Sequence, residues 1–258
     1  MQTVLFTSTI FGPIHSRRLG VSLGINLSPA DGKICSFDCL YCEAGFNAQG
    51  PGKAGLPPRE EVRRLLEQKL VQMRQDGITP DVLTFSGNGE PTLHPDFSGI
   101  IDDVRELRDR YFPDARISVL SNSTMLGKAE VCSALRKVDN NILKLDSALD
   151  PTIRQIDRPQ QPGFTAAKVI EQLSQFGNQA IIQTMFLRGE FNGQKIDNTT
   201  PEELDALAEA YLKIQPKEIM IYSIDRKTPA ENLRKVEKDE LEQIADFFRS
   251  KNLIVKTA

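Results

Sequence analysis

Three cysteines fall within eight residues, in Ile34-Cys35-Ser36-Phe37-Asp38-Cys39-Leu40-Tyr41-Cys42-Glu43. Thiolates this close repel one another unless a metal neutralises them, and a bare cytosolic cluster of them would oxidise readily. A disulfide framework is the poorer reading, because the chain has only four cysteines and three are crowded together. Two kinds of metal centre compete. Structural zinc takes four ligands, usually as two separated pairs. The remaining donors are Cys132, on a predicted helix about 90 residues further on, and the two histidines, His15 and His94. Either imidazole would complete a Cys3His zinc site. An iron–sulfur cubane also needs four iron ligands, and thiolates are its usual protein donors. Three cysteines would leave one iron open to a substrate or cofactor, which favours catalysis over simple electron transfer.

The spacing Cys-x3-Cys-x2-Cys, with aromatic Tyr41 just before the last cysteine, resembles the signature of the radical S-adenosylmethionine (SAM) superfamily. The resemblance implies a [4Fe-4S] cluster on Cys35, Cys39 and Cys42, with S-adenosyl-L-methionine chelating the open iron. It also implies reductive cleavage of SAM to a 5'-deoxyadenosyl radical that takes hydrogen from a substrate. Further motifs bear on it. Ser86-Gly87-Asn88-Gly89-Glu90-Pro91 follows a predicted strand; glycines admit a ligand close to the backbone, and a carboxylate accepts from an ammonium. A plain tight turn is the alternative. The segment is similar to the Gly-Gly-Glu element that holds the methionine amine, with Asn88 departing from the pattern. Ser121 and Asn122 end the next strand and resemble the superfamily's Thr-Asn-Gly segment.

Strand alternation puts Lys144 and Asp146 on one face. Two charges inside a covered parallel strand are expensive unless paired or functional. The resemblance assigns them to the SAM carboxylate or ribose, with a buried ion pair or an exposed edge as the alternatives. By the same analogy Gln183, Thr184, Tyr222 and Ser223 line the ribose and adenine sites. Asp225-Arg226 and Asp157-Arg158 read as structural ion pairs or as site residues. His15, Arg17, Arg18 and Arg226 are candidate contacts for a substrate anion, or solvated loop charges. The Phe11–Gly20 stretch and the Ser-Ile-Asp-Arg run ending at Arg226 look like a group of small Fe-S proteins related to the tRNA-wybutosine synthesis radical SAM enzymes. Those enzymes use a second iron–sulfur site with its own cysteines, which Cys132 alone cannot supply.

The elements that must position these residues alternate in type. Apolar, β-rich runs at Val21–Leu27, Val82–Phe85, Ile117–Leu120, Ile142–Leu145, Ile181–Leu187 and Ile219–Ile224 predict about six parallel strands. Helical spacing fills Glu60–Met73, Phe97–Leu107, Ala166–Phe176, Pro201–Leu212 and Lys238–Phe248. Thr200-Pro201-Glu202-Glu203 reads as an N-cap, an N1 proline and an acidic first turn. The expected fold is α/β, a (β/α)6 partial TIM barrel of the radical SAM type, as one domain over residues 1–258. The cysteine loop, about 34–46, follows the first of these strands, on the face where barrels of parallel strands build active sites. The glycine-rich stretch Gly45–Gly55 is expected to be a mobile surface loop.

Composition narrows the partners. The chain has 258 residues, 40% hydrophobic and 26% charged, with a formal net charge of -3. No overall basic field exists, so RNA would require a local patch. No run of about 18 apolar residues predicts a membrane span, and Met1–Ile10 lacks the basic start of a secretory signal. The expected location is the cytoplasm. The expected substrate is a small molecule, a peptide or an RNA, with flavodoxin or ferredoxin as electron donor. An RNA-modifying enzyme and a non-catalytic Fe-S or zinc-binding protein are the competing readings.

Overall fold

Strands form where apolar and β-branched residues run together, and helices where apolar residues recur every three or four positions. In the computed structural model, which describes residues 4–16 and 20–257, the six expected strands are β2 (Gly20–Ile25), β3 (Val82–Phe85), β4 (Arg116–Ser121), β5 (Asn140–Lys144), β6 (Ala180–Phe191) and β8 (Glu218–Ser223). They lie side by side in chain order, all parallel. The five expected helices are α1 (Arg59–Gln75), α2 (Phe97–Tyr111), α5 (Ala166–Ser174), α6 (Pro201–Ile214) and α7 (Lys238–Arg249). Two short helices join them, α3 (Ala129–Leu135), which carries Cys132, and α4 (Asp150–Ile156).

The sheet is larger than expected, and not wholly parallel. A hairpin partner, β1 (Ile10–Ser16), pairs antiparallel with β2, and β10 (Val255–Thr257) extends the other edge in parallel. β1 escapes a periodicity reading because Gly12 and Pro13 interrupt it at an irregularity in the register. β6 runs on past the barrel, where β7 (Gln194–Asp197) and β9 (Leu233–Lys235) flank it antiparallel.

One face of the sheet packs against helices. Leu23, Ile25, Leu83, Phe85, Ile117 and Val119 join Val62, Leu66, Leu70 and Met73 of α1 and Ile100, Ile101, Val104 and Leu107 of α2 in one core. Burial on α1 runs through Val62, Leu66, Leu70 and Met73, while Leu65 and Lys69 are only half-buried. The opposite face holds a small apolar cluster, Ile142, Ile181 and Met220 with Leu120 against it. Polar pairs share that inner face, Ser22 with Thr84 at 2.8 Å and Asn140 with Ser118 at 3.0 Å. The α6 start follows its sequence signature: Thr200 accepts from the Glu203 amide, with Pro201 in the first turn. Among the described residues no helix is long and apolar enough to cross a membrane.

The Gly45–Gly55 stretch is exposed at Ala48, Gln49 and residues 51–55, but hydrogen bonds pin it. Asp31 accepts from the Lys53 and Ala54 amides at 2.8 and 3.0 Å. Lys33 holds it twice more, its amide on Gly50 O and its ammonium on Gly45 O.

Asn198, fully buried, ties the upper end of β6 to the chain after β5. Its Oδ1 accepts from Leu187 N at 2.9 Å, and its Nδ2 donates to Asp146 O at 2.8 Å and Met185 O at 2.7 Å. Asn198→Ala strands these backbone groups without water, at about 2–4 kcal/mol. Urea unfolding checks this against an exposed change, Glu209→Ala, which stays within about 0.5 kcal/mol.

Candidate metal centre

The cysteine loop leaves the C-terminal end of β2 and is clamped by backbone hydrogen bonds. Ile34 forms a parallel bridge with Gly89, its amide donating to Asn88 O at 3.3 Å and its carbonyl accepting from Glu90 N at 3.0 Å. A Cβ at Gly89 would lie 1.8 Å from Ile34 O, so only glycine permits this approach. On the other side Asp38 N and Leu40 N donate to Asp157 O and Ile156 O, and Gln160 N donates to Ser36 O, each at 2.9 Å. Phe37 and Leu40 are buried, Phe37 edge-on to Phe164. Lys33 is buried too, 3.9 Å from Asp38.

Cys39 is buried, Cys35 and Cys42 are half-buried, and all are free thiols. Burial, then the charge of Glu90, pushes the Cys35 thiol up to about 12. Burial, then Asp157, pushes Cys39 well up; its Sγ donates to Asp157 Oδ1 at 3.4 Å. A tetrahedral zinc would need a fourth donor beside the three thiolates, whereas in a cubane each thiolate takes its own iron. His94 has no spare nitrogen, with Nε2 on Pro57 O at 3.0 Å and Nδ1 accepting from Asp96 N at 3.1 Å. His15 is exposed on β1. Cys132 is half-buried on α3, and its Sγ bonds Leu126 O at 3.1 Å. The donor set therefore fits an iron–sulfur cluster better than zinc.

Beside the thiols lies a buried charged group. Tyr41 OH accepts from Lys144 Nζ and donates to Asp146 Oδ2. Lys144 and Asp146 pair at 3.2 Å, and the ammonium stands 4.8 Å from the Tyr41 ring centroid. Asp146 Oδ1 also accepts from Met185 N at 2.8 Å. The ion pair expected as one option is present, between half-buried Lys144 on β5 and buried Asp146 just beyond its end. Asp157 Oδ1 is 3.4 Å from Tyr41 OH. Burial, then Asp146, raises both Tyr41 and Asp157 well above their ordinary ranges. Burial opposes the Lys144 charge, but Asp146 and its neighbours outweigh it and hold the ammonium above its usual range.

The other expected site residues divide by what they touch. Glu90 is buried, which raises its carboxyl, and is met by the chain's own donors. Oε1 accepts from Thr92 N, Thr92 Oγ1 and Ser121 Oγ, and Oε2 from Asn122 N at 2.6 Å. Oε2 is the oxygen with capacity left. Asn88 is committed elsewhere, its amide exchanging bonds with Phe6 and donating to Pro29 O. Ser86 and Gly87 are half-buried, and Pro91 opens a buried single turn. Thr184 faces α6, bonding Leu145 O and Tyr211 OH at 2.7 and 2.6 Å. Its neighbour Gln183, in register with Lys144, occupies the inner face instead. Tyr222 is half-buried and acts electrostatically on both Lys144 and Tyr41.

Arg226 pairs with Glu43 at 2.6 Å, next to Cys42. Arg17 and Arg18 lie outside the described residues. Asp157 and Arg158 part company: Asp157 turns to Cys39 and Tyr41, while Arg158 bonds Asp38 at 3.1 Å over the Phe46 and Phe191 rings. In the sequence only the Asp157-Arg158 charge pair, after the fourth expected strand, hints at Asp157, and such a pair has no period to read.

A family described as the Radical SAM superfamily matches residues 31–199. A protein named GTPase Obg from Brachyspira hyodysenteriae is 29% identical over 251 residues, covering 95% of this chain but 34% of that protein. A UPF0026 protein of Helicobacter pylori (strain J99) is 28% identical over 249 residues, covering 93% of this chain and 73% of the relative. Among solved structures, Streptococcus suis SuiB bound to S-adenosylmethionine shares the fold with a TM-score of 0.63 at 14% identity. That match covers 91% of this chain and 49% of SuiB.

The raised thiols have a measurable consequence. Thiolate is the nucleophile, so in metal-free folded protein Cys35 and Cys39 react slowly with iodoacetamide near neutral pH. The Cys35 rate climbs roughly tenfold per pH unit as its thiol approaches deprotonation. Peptide mass spectrometry reads this, and unfolding in urea restores ordinary rates. Equal rates folded and unfolded would contradict the buried environment.

Proposed function

Since the chain belongs to the radical SAM superfamily, a superfamily of enzymes, we propose that Cys35, Cys39 and Cys42 hold a [4Fe-4S] cluster. S-adenosyl-L-methionine would bind at the iron the protein leaves free. The observation carrying this reading is one loop that supplies both the thiols and Tyr41, with Tyr41 seated between Lys144 and Asp146. Bound and reduced, the cofactors would supply a 5'-deoxyadenosyl radical able to take hydrogen from a substrate.

The chain's residues supply binding and orientation. Lys144 offers an ammonium to the methionine carboxylate and is kept charged by Asp146. Oε2 of Glu90 has room to accept from the methionine ammonium, while its other bonds lock the turns after β3 and β4 together. Gln183 and Tyr222, on the inner face, suit the ribose and adenine better than Thr184, which bonds toward α6. Phe46 of the loop packs 6.1 Å from Phe191. Arg226, His15, Arg17 and Arg18 are the candidate contacts for an anionic group on a small molecule, peptide or RNA. The electron would come from flavodoxin or ferredoxin, in the cytoplasm, and we take residues 1–258 as one domain.

Anaerobically reconstituted protein, reduced with dithionite in the presence of SAM, yields 5'-deoxyadenosine by chromatography. Iron and sulfide approach about four each per chain, and Cys39→Ala loses the brown chromophore. Loaded protein that binds no SAM and forms none of this nucleoside would defeat the reading.

A further inference from the structure

We propose that Asn122 is a positioning residue for the metal centre, its side-chain amide donating to Cys35 Sγ and so setting the reduction potential of the cluster held there. This rests on the [4Fe-4S] reading above.

The orientation of an amide is usually ambiguous between oxygen and nitrogen, but here its neighbours decide it. Thr124 N, a backbone donor, lies 3.1 Å from one end of the amide, so that end is oxygen. Thr124 Oγ1 donates to the same oxygen at 2.7 Å. Having given its proton, that hydroxyl accepts from Ser36 Oγ at 2.5 Å. Ser36 Oγ then accepts from Asn122 Nδ2 at 2.9 Å, closing a ring in which every donor is accounted for. The second N–H of Nδ2 is left facing Cys35 Sγ at 3.5 Å. Asn122 is buried, and its own backbone amide is fastened to Glu90 Oε2 at 2.6 Å. Little freedom remains for the side chain to turn away.

Hydrogen bonds to cluster sulfurs are among the levers that set iron–sulfur potentials. Reduction adds an electron, part of whose density falls on the thiolate sulfur. The positive end of an N–H dipole aimed at that sulfur stabilises the reduced form more than the oxidised one. Asn122 therefore moves the potential upward, toward what a biological electron donor can reach.

The test is a mediated redox titration of reconstituted protein, followed by the electron paramagnetic resonance signal of the reduced cluster. Asn122→Ala shifts the midpoint to more negative potential. Asn122→Asp, which keeps the side-chain shape for folding but replaces the donor with a negative oxygen, shifts it further. Ser36→Ala breaks the ring while leaving the N–H toward sulfur, and its midpoint stays with the wild type. An unshifted Asn122→Ala, or a Ser36→Ala displaced equally far, would overturn the assignment. A wild-type protein giving no cubane signal would instead defeat the cluster reading, before any variant is compared.

Discussion

The close passage of Ile34 over Gly89 governs the site. A backbone carbonyl lies where a side chain at residue 89 would begin, and the resulting bridge seats the cysteine loop on the turn after β3. The same turn carries Glu90, whose carboxylate reaches the turn after β4 through Ser121 and Asn122. Asn122 returns to the loop at Ser36 and Cys35. Three turns are thereby closed into one unit by hydrogen bonds that are mostly buried, where each counts for more than it would in water. Glu90 is best understood first as the knot of this unit, with one oxygen retaining capacity for a ligand.

A second consequence is electrostatic. Seating the loop buries Cys39 and Tyr41 against Lys144, Asp146 and Asp157. Charges taken from water are tolerated only when paired and hydrogen-bonded, and here one ammonium serves two carboxyls and a phenol. Burial with too few cations raises Tyr41 and Asp157 and keeps Cys39 protonated. A group that binds metal at the thiols and a zwitterion beside Lys144 would complete a set of charges the chain has only partly balanced.

Much of the architecture was legible without coordinates. Parallel strands buried on both faces read as short apolar runs, so β3 was expected at its observed bounds, and α2, α5, α6 and α7 began where their periodicity began. β1, β7, β9 and β10 were not foreseen, because they are short or interrupted and their pairing, not their pattern, makes them strands. The cysteine motif identified the centre because its spacing is local. Lys144 and Asp146 were legible because a strand alternates with period two.

What the sequence determined by itself was therefore whatever one element's own period or spacing encodes: the strand order of residue types, the helix faces, the thiol triad and the family they resemble. Tertiary structure alone decided which polar side chains have anything left to offer. Asn88 looked like a ligand until Phe6 and Pro29 claimed its amide. Thr184 points to α6, and Asp157 turns from Arg158 to Cys39. Each outcome depends on a partner tens of residues away, since a hydrogen bond is satisfied by distance and angle in space and leaves no mark on the local order of residues.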